Sequence, residues 1–245
     1  MPRLERDDSS INYEEIGSGY PLLLIAPGGM NSAIDWWSRA AFDPRQTYRD
    51  DFRLIAMDQR NAGESTGAFD VGDPWGSYLD DQLALMDHLG HRTFHVMGCC
   101  IGCSFALGLA ARAPDRVTAA VLEQPIGIVE DNRQMFLDMG KEWGDRLVET
   151  RSDVAAEQVA AFTASMWTGE FVLSVSRDTV RSMAAPLLVL PGVDAFHPGD
   201  TGREVARLAP NADIMEPWKD SPELIARSVE RVRSFLARHT PVASR

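Results

Sequence analysis

The segment from Thr93 to Arg112 constrains the fold more than any other part of the chain. An apolar run, Thr93–Met97, is followed directly by the heptapeptide Gly98–Ser104 and then by an apolar helical stretch, Phe105–Arg112. A glycine two residues either side of a central nucleophilic side chain is typical of a sharp strand-to-helix turn, where small flanking residues let the backbone pass close to its neighbours. The central residue here is Cys100. The segment therefore predicts a strand–turn–helix unit that presents a thiol at a helix N-terminus.

Apolar runs of strand length alternate with amphipathic stretches along the chain, and no internal repeat interrupts them. This alternation predicts an α/β fold in which helices cover both faces of a parallel sheet. In such sheets, ligands bind beyond the carboxyl ends of the strands. The predicted strands are 22–26, 52–58, 93–97, 117–122, 186–190 and 212–216, and the predicted helices are 77–89, 101–112, 201–208 and 222–238.

Residues 126–185 break the alternation. They contain two helical stretches, 133–148 and 154–167, that carry large apolar side chains. We interpret this segment as a small helical cap inserted into a core formed by residues 1–125 and 186–245. An alternative is that the segment only covers one face of the sheet.

Composition excludes several classes of protein. Among 245 residues, 24 Lys and Arg oppose 36 Asp and Glu, and this net charge of −12 disfavours a nucleic acid or an anionic membrane as partner. No apolar run reaches the roughly 18 residues of a membrane span. The charged start, Met1–Asp8, lacks the apolar core of a secretory signal, so we expect a cytoplasmic protein. Three cysteines within five positions cannot form a disulfide framework.

Four motifs in order resemble those of the α/β-hydrolase superfamily. Pro27–Met30 is similar to the oxyanion loop, and Asp58–Ser65 is similar to the Asp-x-Arg-Gly-x-Gly-x-Ser turn, with Asn61 in place of its first Gly. Gly98–Gly102 resembles the nucleophile elbow, and Pro186–Asp194 resembles the strand that ends in the catalytic acid. The resemblance extends from about Ile11 to Leu236 outside the cap. It implies a mostly parallel eight-stranded sheet and hydrolytic or related acyl chemistry.

Cys100 is the candidate nucleophile, because a helix N-terminus stabilises a thiolate. Most relatives carry serine at this point, and a buried core cysteine is the alternative interpretation. The resemblance places the catalytic acid at Asp194, with Glu123 in reserve at the end of the preceding strand. An oxyanion hole needs two N–H donors, which we expect from Ile101 and from Gly29 or Met30.

The histidine departs from the family pattern. The resemblance implies a base between the last strand and the closing helix, but residues 216–221 contain no His. Of the five histidines, only His197, three residues after Asp194, is placed to reach the strand ends. We hypothesise that His197 supplies the base or lines the pocket; a histidine in a surface loop is the alternative. Deacylation of Cys100 by water would require such a base.

These residues together predict a hydrolase or acyl transferase that needs no cofactor. It would act on a small ester, thioester or lactone through an acyl-enzyme on Cys100, in a pocket that Cys99, Trp36 and Glu123 help to line. No metal site is expected, because the cysteines lack a fourth ligand at zinc spacing. The expected partner is the small-molecule acyl substrate, and a homodimer is possible. Two alternatives stay open: a ligand-binding protein with little or no activity, and a thiol–disulfide oxidoreductase using the Cys100–Cys103 pair.

Overall fold

A central sheet organises the computed structural model, which describes residues 1–242. Eight strands follow the order β1-β2-β4-β3-β6-β7-β8-β9, and the two-residue strand β5 pairs with β2 outside this path. β1 and β2 pair antiparallel at one edge, whereas the strands from β4 to β9 along this path run parallel. The mostly parallel eight-stranded sheet is thereby confirmed. The strands are β1 Arg3–Glu5, β2 Ser9–Ile16, β3 Pro21–Ile25, β4 Arg53–Met57, β5 Thr66–Gly67, β6 Phe94–Cys99, β7 Val117–Glu123, β8 Leu187–Leu190 and β9 Ala212–Ile214.

Helices cover both faces of this sheet. They are α1 Pro44–Thr47, α2 Gly76–His88, α3 Ile101–Arg112, α4 Arg133–Thr150, α5 Ala156–Met166, α6 Arg177–Arg181, α7 Gly199–Leu208 and α8 Pro222–His239, with short 3-10 turns at Gly29–Asn31 and Ile34–Arg39. No helix within residues 1–242 is both long enough and apolar enough to cross a membrane.

Two hydrophobic cores form because successive strand residues point to opposite faces of the sheet. On one face, strand residues such as Val96 and Leu122 pack with α2 and α3 and with the apolar sides of α4, α5 and α7. On the other face, residues such as Val121 and Leu188 pack with α8 and the Ile34–Arg39 turn. The strands buried on both sides are the near-continuous apolar runs that the sequence shows, as expected for a parallel sheet.

Sequence periodicity found the parallel strands and their helices within a few residues, but it missed the antiparallel edge formed by β1 and β2. Residues 126–185 contain α4, α5 and α6. Their description as a separate cap domain stays a prediction.

Candidate active site

Cys100 occupies the turn between β6 and α3. Its backbone has φ 59° and ψ −120°, a conformation that costs energy for a residue with a side chain. The amide of Cys100 donates to the carbonyl oxygen of Glu123 on the neighbouring strand at 2.9 Å, which holds the turn against the sheet. Unlike the cysteines around it, Cys100 is only partly buried. The turn therefore exposes the side chain at the carboxyl edge of the sheet.

The two glycines of the motif are required by close backbone approach. A Cβ at Gly98 would collide with the carbonyl of Gly102 across the turn. A Cβ at Gly102 would collide with the carbonyl oxygen of Ile25 at the end of β3. Only glycine lets the strand, the turn and α3 approach this closely.

Asp194 and His197 lie in the turn that follows β8. Oδ1 of Asp194 accepts hydrogen bonds from the backbone amides of Phe196 and His197, each at 3.0 Å. The same carboxylate lies 2.8 and 2.9 Å from Nδ1 of His197. The Asp194 side chain is 52% exposed, whereas the His197 side chain is only 16% exposed. The carboxylate therefore fixes both the turn and the orientation of the imidazole.

The other ring nitrogen of His197, Nε2, is not held by Asp194. Nε2 is buried and makes no hydrogen bond of ordinary geometry within residues 1–242. The thiol of Cys100 is nevertheless close enough for the two groups to shift each other's pKa. The structure thus brings Cys100, His197 and Asp194 together in that order.

The surroundings of Cys100 and His197 favour the charged form of each side chain. Burial raises the pKa of the Cys100 thiol, but the His197 imidazole and the backbone amides of Gly28 and Ile101 outweigh burial and leave the pKa below its usual range. Burial lowers the pKa of His197, but Cys100 and Asp194 outweigh that effect and raise it to about 9. Each shift stabilises the charged form of its group, so the site favours a thiolate beside an imidazolium more than the same two groups would in water.

Cys99 and Cys103 differ from Cys100 in their surroundings. Burial holds the pKa of both thiols well above the usual range. Cys103 Sγ is completely buried and donates to the carbonyl oxygens of Gly98 and Glu123 at 3.2 and 3.1 Å. Both are packing residues, although Cys99 also contributes to the wall of the cavity described next.

A cavity of about 380 Å³ opens over Cys100. The segment 126–185 supplies part of its wall through Ile126, Phe136, Met139 and Trp167, and the turn after β3 supplies another part. Most of the lining is apolar. The full lining consists of Pro27, Gly28, Gly29, Asn31, Trp36, Arg39, Ala40, Cys99, Cys100, Ile101, Gln124, Ile126, Phe136, Met139, Trp167, Phe196 and His197.

The expected oxyanion donors are only partly gathered at this cavity. Gly29 and Ile101 line it, together with Gly28. Met30 does not line it, because its side chain is buried in the core on the α3 face. The loop amide that interacts with the Cys100 thiol is that of Gly28. The loop residues at the cavity are thus Gly28 and Gly29, one residue earlier than the Gly29–Met30 pair that the sequence suggested.

Glu123, expected to line the pocket or serve as a reserve acid, is absent from the cavity wall. It is completely buried, and the alternation along β7 places it on the sheet face that packs against α8. Neither carboxyl oxygen has a hydrogen-bond partner within residues 1–242. Burial raises the pKa of Glu123 to about 8, and Lys219 opposes part of that rise.

The loop in which the family resemblance implies a histidine is occupied by Trp218 and Lys219. Trp218 Nε1 donates to the carbonyl oxygen of Pro191 at 2.7 Å, and Lys219 Nζ donates to Oε1 of Gln124. Trp218 and Lys219 thus occupy the place where the resemblance implies a histidine. The imidazole near Cys100 comes from the turn after β8 instead. Sequence reasoning did not identify Gln124, Phe196 or Arg39 as cavity residues, because nothing in their local pattern distinguishes them.

Metal binding has no support within the described part of the chain, where no group of three or more His, Cys, Asp or Glu side chains is arranged to hold an ion.

Comparison with known proteins identifies the family. The model of the alpha/beta hydrolase fold matches residues 21–211. This chain belongs to the α/β-hydrolase fold family. A "2-hydroxymuconate semialdehyde hydrolase" from Pseudomonas putida is 30% identical over 117 residues, which cover 48% of this chain and 40% of that protein. The carboxylesterase YbfK from Bacillus subtilis strain 168 is 28% identical over 108 residues, covering 43% of this chain and 34% of that enzyme. This α/β-hydrolase therefore aligns with less than half the length of either relative.

Solved structures agree on the fold. A hydrolase from Pseudomonas aeruginosa PA01 superposes with a TM-score of 0.73 at 19% identity, covering 96% of this chain and 97% of that one. At this level of identity the likeness extends to architecture alone.

Proposed function

We propose that this α/β-hydrolase cleaves small carboxylic esters, thioesters or lactones through an acyl-enzyme on Cys100. The observation that carries the proposal is that the Cys100 thiol and the His197 imidazole line one largely apolar cavity, while the Asp194 carboxylate holds Nδ1 of that imidazole. The carboxylesterase among the relatives is consistent with this substrate class.

The acylation step uses the charged pair. The Cys100 thiolate attacks the substrate carbonyl carbon, and the developing oxyanion accepts hydrogen bonds from the amides of Ile101 and the Gly28–Gly29 backbone. When the tetrahedral intermediate collapses, the bond from carbon to the leaving oxygen or sulfur breaks. The imidazolium Nε2 of His197 donates its proton to that leaving atom, and the acyl group remains on Sγ.

The deacylation step regenerates the enzyme. Neutral His197 accepts a proton from a water molecule, which attacks the thioester carbonyl. The tetrahedral intermediate expels the Cys100 thiolate and releases the carboxylic acid. Asp194 keeps Nδ1 protonated and so directs Nε2 toward the reaction. An alcohol or amine in place of water would give acyl transfer by the same steps.

Disulfide exchange by the Cys100–Cys103 pair has little support, because the Cys103 thiol is buried and donates to two backbone carbonyls. A ligand-binding protein without activity is the other alternative. That alternative rests on the absence of a histidine from residues 216–221. His197, in the turn after β8, weakens it.

Trapping the acyl-enzyme tests the proposal. The protein is incubated with a panel of aryl esters, thioesters and lactones, and intact mass and peptide mapping locate any acyl group. We expect an adduct on Cys100 that turns over, no adduct in Cys100→Ala, and retained turnover in the matched control Cys103→Ala. Turnover that persists in Cys100→Ala, or binding without any adduct, would overturn the proposal.

A further inference from the structure

Arg39 gives the apolar cavity a permanently charged side chain away from the Cys100–His197 pair. Of the described residues that line the cavity, Arg39 is the only Arg or Lys, and none is Asp or Glu. The remaining lining is dominated by glycine, aliphatic and aromatic side chains. A fixed positive charge at the edge of an apolar cavity selects between substrates, because a negatively charged substituent binds more tightly there than a neutral one.

The position of Arg39 is set by Trp36, three residues earlier on the same 3-10 turn. The guanidinium carbon lies 4.2 Å from the centroid of the indole ring, within cation–π distance. The same indole packs against the oxyanion loop, since a Cβ at Gly28 would come within 2.8 Å of it. The guanidinium and the Gly28 loop therefore contact the same indole ring. In the proposed function, this loop binds the reacting carbonyl.

The charge of Arg39 has no carboxylate partner within the described part of the chain. Arg39 forms no ion pair with any carboxylate of residues 1–242, although the nearby Asp35 belongs to the same turn. Its side chain is exposed. The other cations near the cavity are engaged: Lys219 donates to Gln124, and His197 pairs with Asp194. The guanidinium thus has donors in a planar fork that fits a carboxylate.

We propose that Arg39 binds a carboxylate at the far end of the substrate, so that the preferred substrates are esters, thioesters or lactones that also carry a free carboxylate. This inference rests on the proposed function for the identity of the reacting bond, but the anion subsite does not depend on turnover. It also assigns a local preference for anions to a protein whose net charge of −12 would not attract them from a distance.

The first experiment compares matched substrates. Aryl half-esters of linear dicarboxylic acids are measured against esters in which an amide replaces the free carboxylate, at several chain lengths. We expect kcat/KM to favour the acid by about tenfold or more at the best length, the range of a charge-assisted hydrogen bond. Arg39→Gln should abolish this ratio and Arg39→Lys should keep part of it. The control Arg92→Gln changes an exposed arginine just before β6, at the opposite edge of the sheet, and should leave the ratio unchanged.

The second experiment needs no hydrolysis. N-(carboxyalkyl)maleimides and their amides add to the Cys100 thiolate without a leaving group, and mass mapping reports the rate at that residue. A preference for the acid that disappears in Arg39→Gln supports the anion subsite even in a protein that turns over no ester. Turnover without any such preference would overturn the subsite and leave the hydrolase proposal intact. A preference lost in Lys219→Gln but retained in Arg39→Gln would also overturn it.

Discussion

Nδ1 of His197 lies 2.8 Å from Oδ1 of Asp194, and His197 is only three positions after Asp194 along the chain. The acid and the imidazole therefore arrive at the site on one turn after β8 rather than on two separate loops. Asp194 also accepts the amides of Phe196 and His197, so the carboxylate that orients the imidazole shapes the turn as well.

Replacing His197 with Gln should raise the pKa of the Cys100 thiol, because the imidazole is the main group that opposes the effect of burial. We expect alkylation of Cys100 by iodoacetamide at pH 7 to slow, because a smaller fraction of the thiol is then ionised. Ester turnover should fall by about 10²–10⁴-fold with loss of the acid–base group. His91→Gln, in a loop remote from the cavity, serves as control; an unchanged alkylation profile in His197→Gln would contradict the assignment.

Asp194→Asn should weaken turnover less than the loss of His197 does. The amide cannot stabilise an imidazolium, so the pKa of His197 should fall from about 9 toward its usual range. Since the carboxylate is 52% exposed, solvent screens part of its effect, and we expect kcat to fall by about 10–100-fold. NMR titration of the His197 ring gives the pKa directly. Asp200→Asn, on the exposed start of α7, is the matched control and should change neither value.

The pH dependence of acylation should be bell-shaped. Activity rises with pH as the Cys100 thiol ionises, at a pKa below its usual range. It falls again as the His197 imidazolium loses its proton near pH 9, because the leaving group then has no acid. The burst rate of a chromogenic ester, measured from about pH 5 to about pH 10, reports both limbs of this pH profile. In His197→Gln the alkaline limb should be absent; its persistence there would refute the role of the imidazolium.

Glu123→Gln should stabilise the protein at alkaline pH. Folding raises the pKa of Glu123 to about 8, so between its usual pKa and pH 8 the native state holds a proton that the unfolded chain has released. Stability contributed by this group therefore falls as pH rises through that interval. We expect the melting temperature of Glu123→Gln to match the wild type near pH 5 and to exceed it by about 2 °C or more at pH 8. A difference that does not grow with pH would contradict the buried, protonated carboxyl.

The sequence located most of the core elements because their signals are local. The runs that form β3, β6, β7 and β8 are apolar throughout, and the glycines at positions 98 and 102 report a turn that only they can make. Strand β2, next to the edge strand β1, was missed because Ser9–Ile16 mixes polar and apolar residues and takes its strand form from pairing with β1 and β4. Such pairing is non-local and leaves little trace in the segment itself.

Residue types and spacing alone determined that this chain forms a strand–turn–helix unit with Cys100 at its apex, since the steric demands of that turn act within a few residues. Tertiary structure decided which side chains meet the thiol. β6 and β8 flank β7 in the sheet, which brings His197 toward Cys100, while Glu123 at the end of β7 is buried on the α8 face and does not line the cavity. Tertiary structure also decided that Arg39, packed on the Trp36 ring, lines the cavity. These relations depend on strand order and on the face to which each residue points, and neither is written in any one segment.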